Sequence, residues 1–137
     1  MTLVVPEAIR DALCAHARAG APAEVVGVLA GRRGDERSSV ERAYRAENVA
    51  SAPKTRYEIA PREEIDLLER IDGAGLEPVG FYHSHPEGPP GPSETDARLA
   101  VWPGYSYVIV SFADGTAGLG SWRWDGDRFS EEPVRSP

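Results

Sequence analysis

The 137 residues predict an α/β (α+β) fold, a single domain in which helices flank a mixed β-sheet. Three observations carry that expectation. Two segments with apolar residues at helical spacing each open on a proline and close on glycine, one from Pro6 to Gly20 and one from Pro61 to Gly73 or Gly75. Short apolar or β-branched runs at Glu24–Gly31, Val79–Tyr82 and Tyr107–Phe112 have the length of buried strands. No internal repeat or linker divides residues 1–137, whose number suits one ordinary domain, so helices and strands must share a core.

Each element follows from local chemistry. Pro6 is tolerated in a first helical turn; Ile9, Ala12, Leu13 and Ala17 then recur at helical spacing, and Gly20 with Pro22 ends the segment. Glu24 to Gly31 is the first strand, and the charged, Gly-containing Arg32 to Arg37 reads as a turn. Ser39 to Asn48 alternates around Val40, Ala43 and Tyr44, as a strand with one wet face does. Residues 49–60 are irregular apart from a short extended piece at Tyr57 and Ile59. The second helix carries Ile65, Leu68 and Ile71 as its apolar stripe. Val79 to Tyr82 is a strand that delivers His83 and His85 at its carboxyl end. Ser93-Glu94-Thr95-Asp96 has the composition of a helix start, a serine cap followed by acidic groups where the helix dipole favours them. That helix is expected to reach Val101 or Trp102 before Pro103-Gly104. Tyr107 to Phe112 is a strand, Asp114-Gly115 a turn, Gly118 to Trp124 a further strand containing Leu119 and Trp122. Asp125-Gly126 turns into a last short strand near Phe129, and the tail after Glu132 is expected to fray.

Composition narrows the function. The chain is 41% hydrophobic and 27% charged, as soluble globular proteins are. A net charge of -7 and a pI near 5.0 leave no basic stripe to neutralise phosphates, so nucleic acid is not an expected partner. The single cysteine, Cys14, excludes an intrachain disulfide and a Cys-rich zinc knuckle. No apolar run approaches the roughly 20 residues of a membrane span, and MTLVVPEAIRD lacks the basic region and apolar core of a signal peptide. A cytoplasmic protein with no membrane partner is expected. The oligomeric state is open, with a homodimer among the alternatives.

The chemistry concentrates in one stretch. His83-Ser84-His85-Pro86 holds two of the chain's 3 histidines, and Ser93 and Asp96 follow within one loop. In an extended segment, side chains at i and i+2 share a side, so His83 and His85 aim two imidazoles at one point while Ser84 turns away. The loop Glu87 to Pro92 (EGPPGP) cannot continue the strand and returns the chain, so that Asp96 can supply a third ligand. Two neutral imidazoles and a carboxylate suit zinc, and three protein ligands leave a fourth position for water, as in catalytic sites. Hydrolysis also needs a base. Glu24 has the best local context, because a carboxylate opening an apolar strand needs a reason and partial burial raises its pKa; Glu47 and Glu58 are alternatives. Ser93 and Asp96 also read as a helix cap and its partner, compatible with ligation. Cys14 reads as a small buried hydrophobe, His16 as a surface residue, and Trp102, Trp122 and Trp124 as core and sheet surface.

Pro22-Ala-Glu24-Val-Val-Gly27-Val-Leu29-Ala-Gly31, then His83-Ser84-His85-Pro86, then Pro92-Ser93 and Asp96 resemble the JAMM (MPN+, JAB-domain) metalloprotease family. Its motif is an upstream glutamate, His-Ser/Thr-His, seven residues, Ser, two residues, Asp, and the chain matches every specified position. The resemblance implies a cytidine-deaminase-like fold and hydrolysis of peptide or isopeptide bonds after the C-terminus of ubiquitin-like proteins, in bacteria typically a small sulfur carrier. By position it implies that His83, His85 and Asp96 ligate Zn2+, that Glu24 is the general acid/base, and that Ser93 donates to the oxyanion. Few residues remain for the insertions that hold ubiquitin in eukaryotic members, so the chain looks like the compact prokaryotic type. Two rival readings are a non-catalytic scaffold of the same fold, which would not need all five residues, and a zinc deaminase, which would need more cysteine than Cys14.

Overall fold

Proline opens both long helices of the computed structural model, which describes residues 1–113 and 115–137. Pro6 precedes α1 (Glu7–Gly20), and Pro61 begins α2 (Pro61–Gly73), where its missing N–H costs nothing and its fixed φ suits the first turn. The third helix, α3 (Glu94–Leu99), starts on the Ser93 cap. The strands are β1 (Thr2–Val4), β2 (Val26–Arg32), β3 (Arg37–Ala46), β4 (Glu77–His85), β5 (Ser106–Ala113), β6 (Thr116–Trp124), β7 (Phe129–Glu132) and β8 (Val134–Arg135). They form one mixed sheet in the order β7-β6-β5-β4-β2-β3-β1-β8. β4 and β5 are parallel, as are β1 with β3 and β1 with β8; the remaining pairs are antiparallel. The sheet flanked by helices is thus the α+β arrangement expected.

The two end strands of this order, β7 and β8, are separated in the chain by Pro133 alone. The sheet therefore curls until its ends meet. Glu132, the last residue of β7, is buried at that seam: its carboxylate accepts from Arg123 Nε (3.0 Å), Ser106 Oγ (2.6 Å) and Ser121 Oγ (2.9 Å). Arg123 in turn donates to Ser38 Oγ at 3.1 Å, so the buried pair is fully hydrogen-bonded and ties β5, β6 and β3 to β7.

Alternation sorts the side chains onto two faces. Leu13 and Ala17 of α1 pack with Val25, Leu29, Tyr82, Val108 and Val110. Leu67 and Ile71 of α2 pack on the other face with Val26, Val28, Phe81 and Tyr107. Each fully buried Leu, Ile or Val contributes about 1.5–3 kcal/mol relative to exposure. Along the end of β4, Tyr82 and Ser84 accordingly face α1, while Phe81, His83 and His85 face α2. Gly80 allows this arrangement, because a Cβ there would collide with the Ser106 carbonyl oxygen on β5.

Four local expectations are corrected. The apolar stripe of α2 is Leu67 and Ile71, one full turn apart; Ile65 is 56% exposed, since two residues from Leu67 is about 200° round the helix. The tail does not fray: Val134 and Arg135 pair with Leu3 and Val4, and Leu3 N–H donates to Pro133 O at 2.9 Å. α3 ends at Leu99, Ala100 being extended, as Trp102 ahead of Pro103 turns from the helix and packs on Phe81 at 5.1 Å. His16 is half-buried, not a surface residue; its Nδ1 bonds Tyr82 OH at 2.7 Å, and burial, then Arg45, pull its pKa down to about 4.

Tyr57 and Ile59 join no ladder, although Val49 N–H donates to Glu58 O at 2.9 Å across their loop. β1 was not expected, being too short for a pattern. The turn expected at Asp114-Gly115 includes Asp114, which lies outside the described residues. Among the described residues no helix is long and apolar enough to cross a membrane.

Candidate metal centre

The register of β2 against β4 builds the site. Val26 lies opposite His83 in an antiparallel pair. One step further, Ser84 N–H donates to Val25 O at 3.1 Å and Val25 N–H donates to Ser84 Oγ at 2.9 Å. A further step sets Glu24 against His85, on the same face as Val26 and His83. Ser84 points away from the site, as its position between the histidines requires, and there its hydroxyl fastens the segment that carries Glu24.

The Pro-rich loop completes the set. His85 Nδ1 donates to Pro89 O at 2.8 Å, so in the neutral imidazole Nε2 is the nitrogen with a lone pair to offer a metal ion. Ser93 and Asp96 form a reciprocal capping box: Asp96 N–H donates to Ser93 Oγ at 3.0 Å, and Ser93 N–H donates to Asp96 Oδ2 at 2.9 Å. The same Oδ2 lies 3.3 Å from His83 Nε2 and 3.1 Å from His85 Nε2, and these two nitrogens are 3.1 Å apart. Glu24, His83, His85 and Asp96 each offer a ligand atom, all within 4.8 Å of one another, and all four residues are buried. Ser93 stands beside them, half-buried.

The electrostatics follow from burial and crowding. Burial pushes the Glu24 carboxyl up to about 7, with Asp96 adding to the rise and His85 opposing it. Burial also holds the His83 imidazole below its ordinary value, against the pull of Asp96. For His85 burial pulls down, but bonds to Asp96 and Pro89 outweigh it and the net direction is up. Burial alone would raise Asp96; the two histidines and Ser93 N–H outweigh it and hold the carboxyl well below the usual range.

The donor set fits a divalent ion. Glu24 Oε1 is buried without a hydrogen-bond partner among the described residues. Two carboxylates and two imidazoles with few donors facing them make an uncompensated pocket, which a cation with nitrogen and oxygen ligands would balance.

Of the sequence candidates, the structure gathers Glu24, His83, His85, Ser93 and Asp96. Glu47 and Glu58 are exposed and outside the group. Cys14 packs half-buried on the α1 side of the core, and Trp124 is buried opposite. Two contributors were not singled out beforehand. Asn48 Nδ2 donates to Glu24 O (2.9 Å) and Arg56 O (3.0 Å), while its Oδ1 accepts from Ala50 (3.0 Å) and Glu58 (3.1 Å) N–H groups. It organises the 49–58 loop and ties Glu24 to it. An asparagine at a strand end ahead of an irregular stretch is the signal that could have found it. Tyr57 stacks on His83 with ring centroids 4.4 Å apart, 27° from parallel.

Comparison with known proteins shows the family and the fold. The profile of the family described as prokaryotic homologs of the JAB domain matches residues 6–125. A desampylase from Haloferax volcanii is 48% identical over 129 residues, covering 91% of this chain and 89% of the relative. A CysO-cysteine peptidase from Mycobacterium tuberculosis is 37% identical over 133 residues, covering 96% and 89%. A solution structure of a protein from Desulfitobacterium hafniense superposes with a TM-score of 0.88 at 31% identity, covering 100% of this chain and 93% of that one.

Proposed function

Because the chain belongs to the family of prokaryotic homologs of the JAB domain, we propose that it is a zinc peptidase acting after the C-terminus of a ubiquitin-like or sulfur-carrier protein. The observation that carries the reading is the buried convergence of Glu24, His83, His85 and Asp96. The names of the relatives, desampylase and CysO-cysteine peptidase, support hydrolysis of such conjugates. In this reading His83 Nε2, His85 Nε2 and Asp96 Oδ2 hold the ion. When bound, zinc supplies Lewis acidity toward water and carbonyl oxygen.

The chain's own residues then have defined tasks. Glu24, buried beside His85 and Asp96, takes a proton from the attacking water and returns it to the leaving nitrogen. The water oxygen bonds to the acyl carbon, the C–N bond breaks, and a carboxylate and an amine leave. Ser93 Oγ spends a lone pair on Asp96 N–H and keeps its own proton, which is free to donate to the oxyanion. Tyr57 covers one face of His83 and holds its ring in place. A scaffold reading is disfavoured, because burying these groups without a ligand costs stability that no scaffold requires. A deaminase reading is disfavoured because Cys14 lies in the core on the α1 side, away from the group.

Elemental analysis of protein purified without chelator is expected to find one zinc per chain, and His83→Ala, His85→Ala and Asp96→Ala to lose it. A folded protein that holds no metal and takes up none on addition of zinc would end this reading.

A further inference from the structure

Two clefts adjoin the buried group, and only one contains Glu24. The first, of about 230 Å³, is apolar, lined by Tyr57, Ile59, Phe81, Leu99 and Trp102 among others. The second, of about 430 Å³, has Glu24, His85 and Ser93 in its wall and Lys54, Thr55 and Glu87 beside them. A group that returns a proton to a leaving nitrogen must stand within hydrogen-bond reach of that nitrogen. Given the role proposed for Glu24, on which this inference rests, the second cleft receives the amine side of the scissile bond.

Lys54 is the only lysine in the chain. Its side chain is exposed, but its backbone is pinned beside the catalytic glutamate. Glu24 N–H donates to the carbonyl of Pro53, the residue before Lys54, at 2.7 Å. On its other side the Glu24 carbonyl accepts from Asn48 Nδ2 at 2.9 Å, and the same amide group bonds Arg56 O at 3.0 Å. The loop carrying the ammonium is thus fastened to the residue that handles the proton. Glu87 sits on the other loop of the cleft, where it repels an anion from its own side and leaves the Lys54 side favoured.

We propose that Lys54 selects the leaving group by binding the free α-carboxylate of an amino acid whose α-nitrogen is the leaving atom. In that leaving group the carboxylate is attached to the carbon that bears the scissile nitrogen, so it enters the cleft together with the bond to be broken. A leaving lysine ε-amine carries no anion there. A charge-assisted hydrogen bond in a partly exposed cleft is worth on the order of 10-fold in kcat/KM.

The test uses the zinc-loaded enzyme and a synthetic decapeptide ending in Gly-Gly, joined through its last carboxyl to alanine, to alaninamide, or to the ε-amine of lysine amide. The wild-type enzyme is expected to prefer the alanine adduct over the alaninamide adduct by about 10-fold or more. In Lys54→Met the ratio should fall to near 1, and in Lys54→Arg it should persist. Equal rates on alanine and alaninamide, or a preference that survives in Lys54→Met, would overturn the role of Lys54 and leave the hydrolase standing. No hydrolysis of any adduct would overturn both the hydrolase reading and this one.

Discussion

Glu24→Gln is expected to fold, to bind zinc, and to lose roughly 10²–10⁴-fold in kcat, the usual worth of a general acid/base. Glutamine keeps the shape and the carbonyl oxygen but cannot take a proton from water. The structure makes this substitution unusually clean. Glu24 is 6% exposed and its Oε1 has no partner among the described residues, so the neutral side chain relieves a buried charge. The metal-free variant should therefore melt no lower than the wild type. Loss of rate cannot then be blamed on unfolding. The deciding measurement is single-turnover hydrolysis at saturating substrate, with zinc content measured on the same sample. Activity within a few-fold of wild type would move the base elsewhere, although the other sequence candidates, Glu47 and Glu58, are exposed and away from the group.

Ser93→Ala separates two roles that one hydroxyl can fill together. As a cap, Ser93 Oγ accepts from Asp96 N–H, and its removal should cost about 1 kcal/mol of stability. As an oxyanion donor, it should cost about 100-fold or more in kcat with a modest change in KM. Both losses are expected. The backbone half of the box remains, because Ser93 N–H, not the side chain, holds Asp96 Oδ2. Zinc affinity should consequently change little. A variant that is only less heat-stable, with kcat within a few-fold of wild type, would reduce Ser93 to a cap.

Much of the site was legible because its chemistry is local. His83 and His85 share a side through the two-residue period of a strand, and the Ser93–Asp96 box closes within one helical turn. Glu24 could be suspected from a carboxylate opening an apolar run. Its approach to His85 could not be read, because register between β2 and β4 is set by pairing across a long intervening stretch. The same limit hid Asn48, whose partners at Glu24 and Arg56 meet only when the loop folds back. The α2 stripe was misread for a different reason: residues spaced by three, as in Ile65, Leu68 and Ile71, drift round the helix, while Leu67 and Ile71 stay on one face. β8 is two residues long and has no periodicity to detect. Its place is decided by the open edge of β1.

The closing of the curled sheet bears on the order in which the molecule folds. β2 with β3 and β5 with β6 are hairpins that close over a few residues, whereas Leu3 meets Val134 across nearly the whole chain. Loop-closure entropy makes the long-range pair the costlier one to form early. Val134→Ala should accordingly speed unfolding and leave refolding nearly unchanged, while Val28→Ala in the first hairpin should slow refolding. Slowed refolding in Val134→Ala would place the seam in the folding nucleus instead. With the seam closing last, β2, which follows Glu24, and β4, which carries His83 and His85, come together in a sheet still open at both ends.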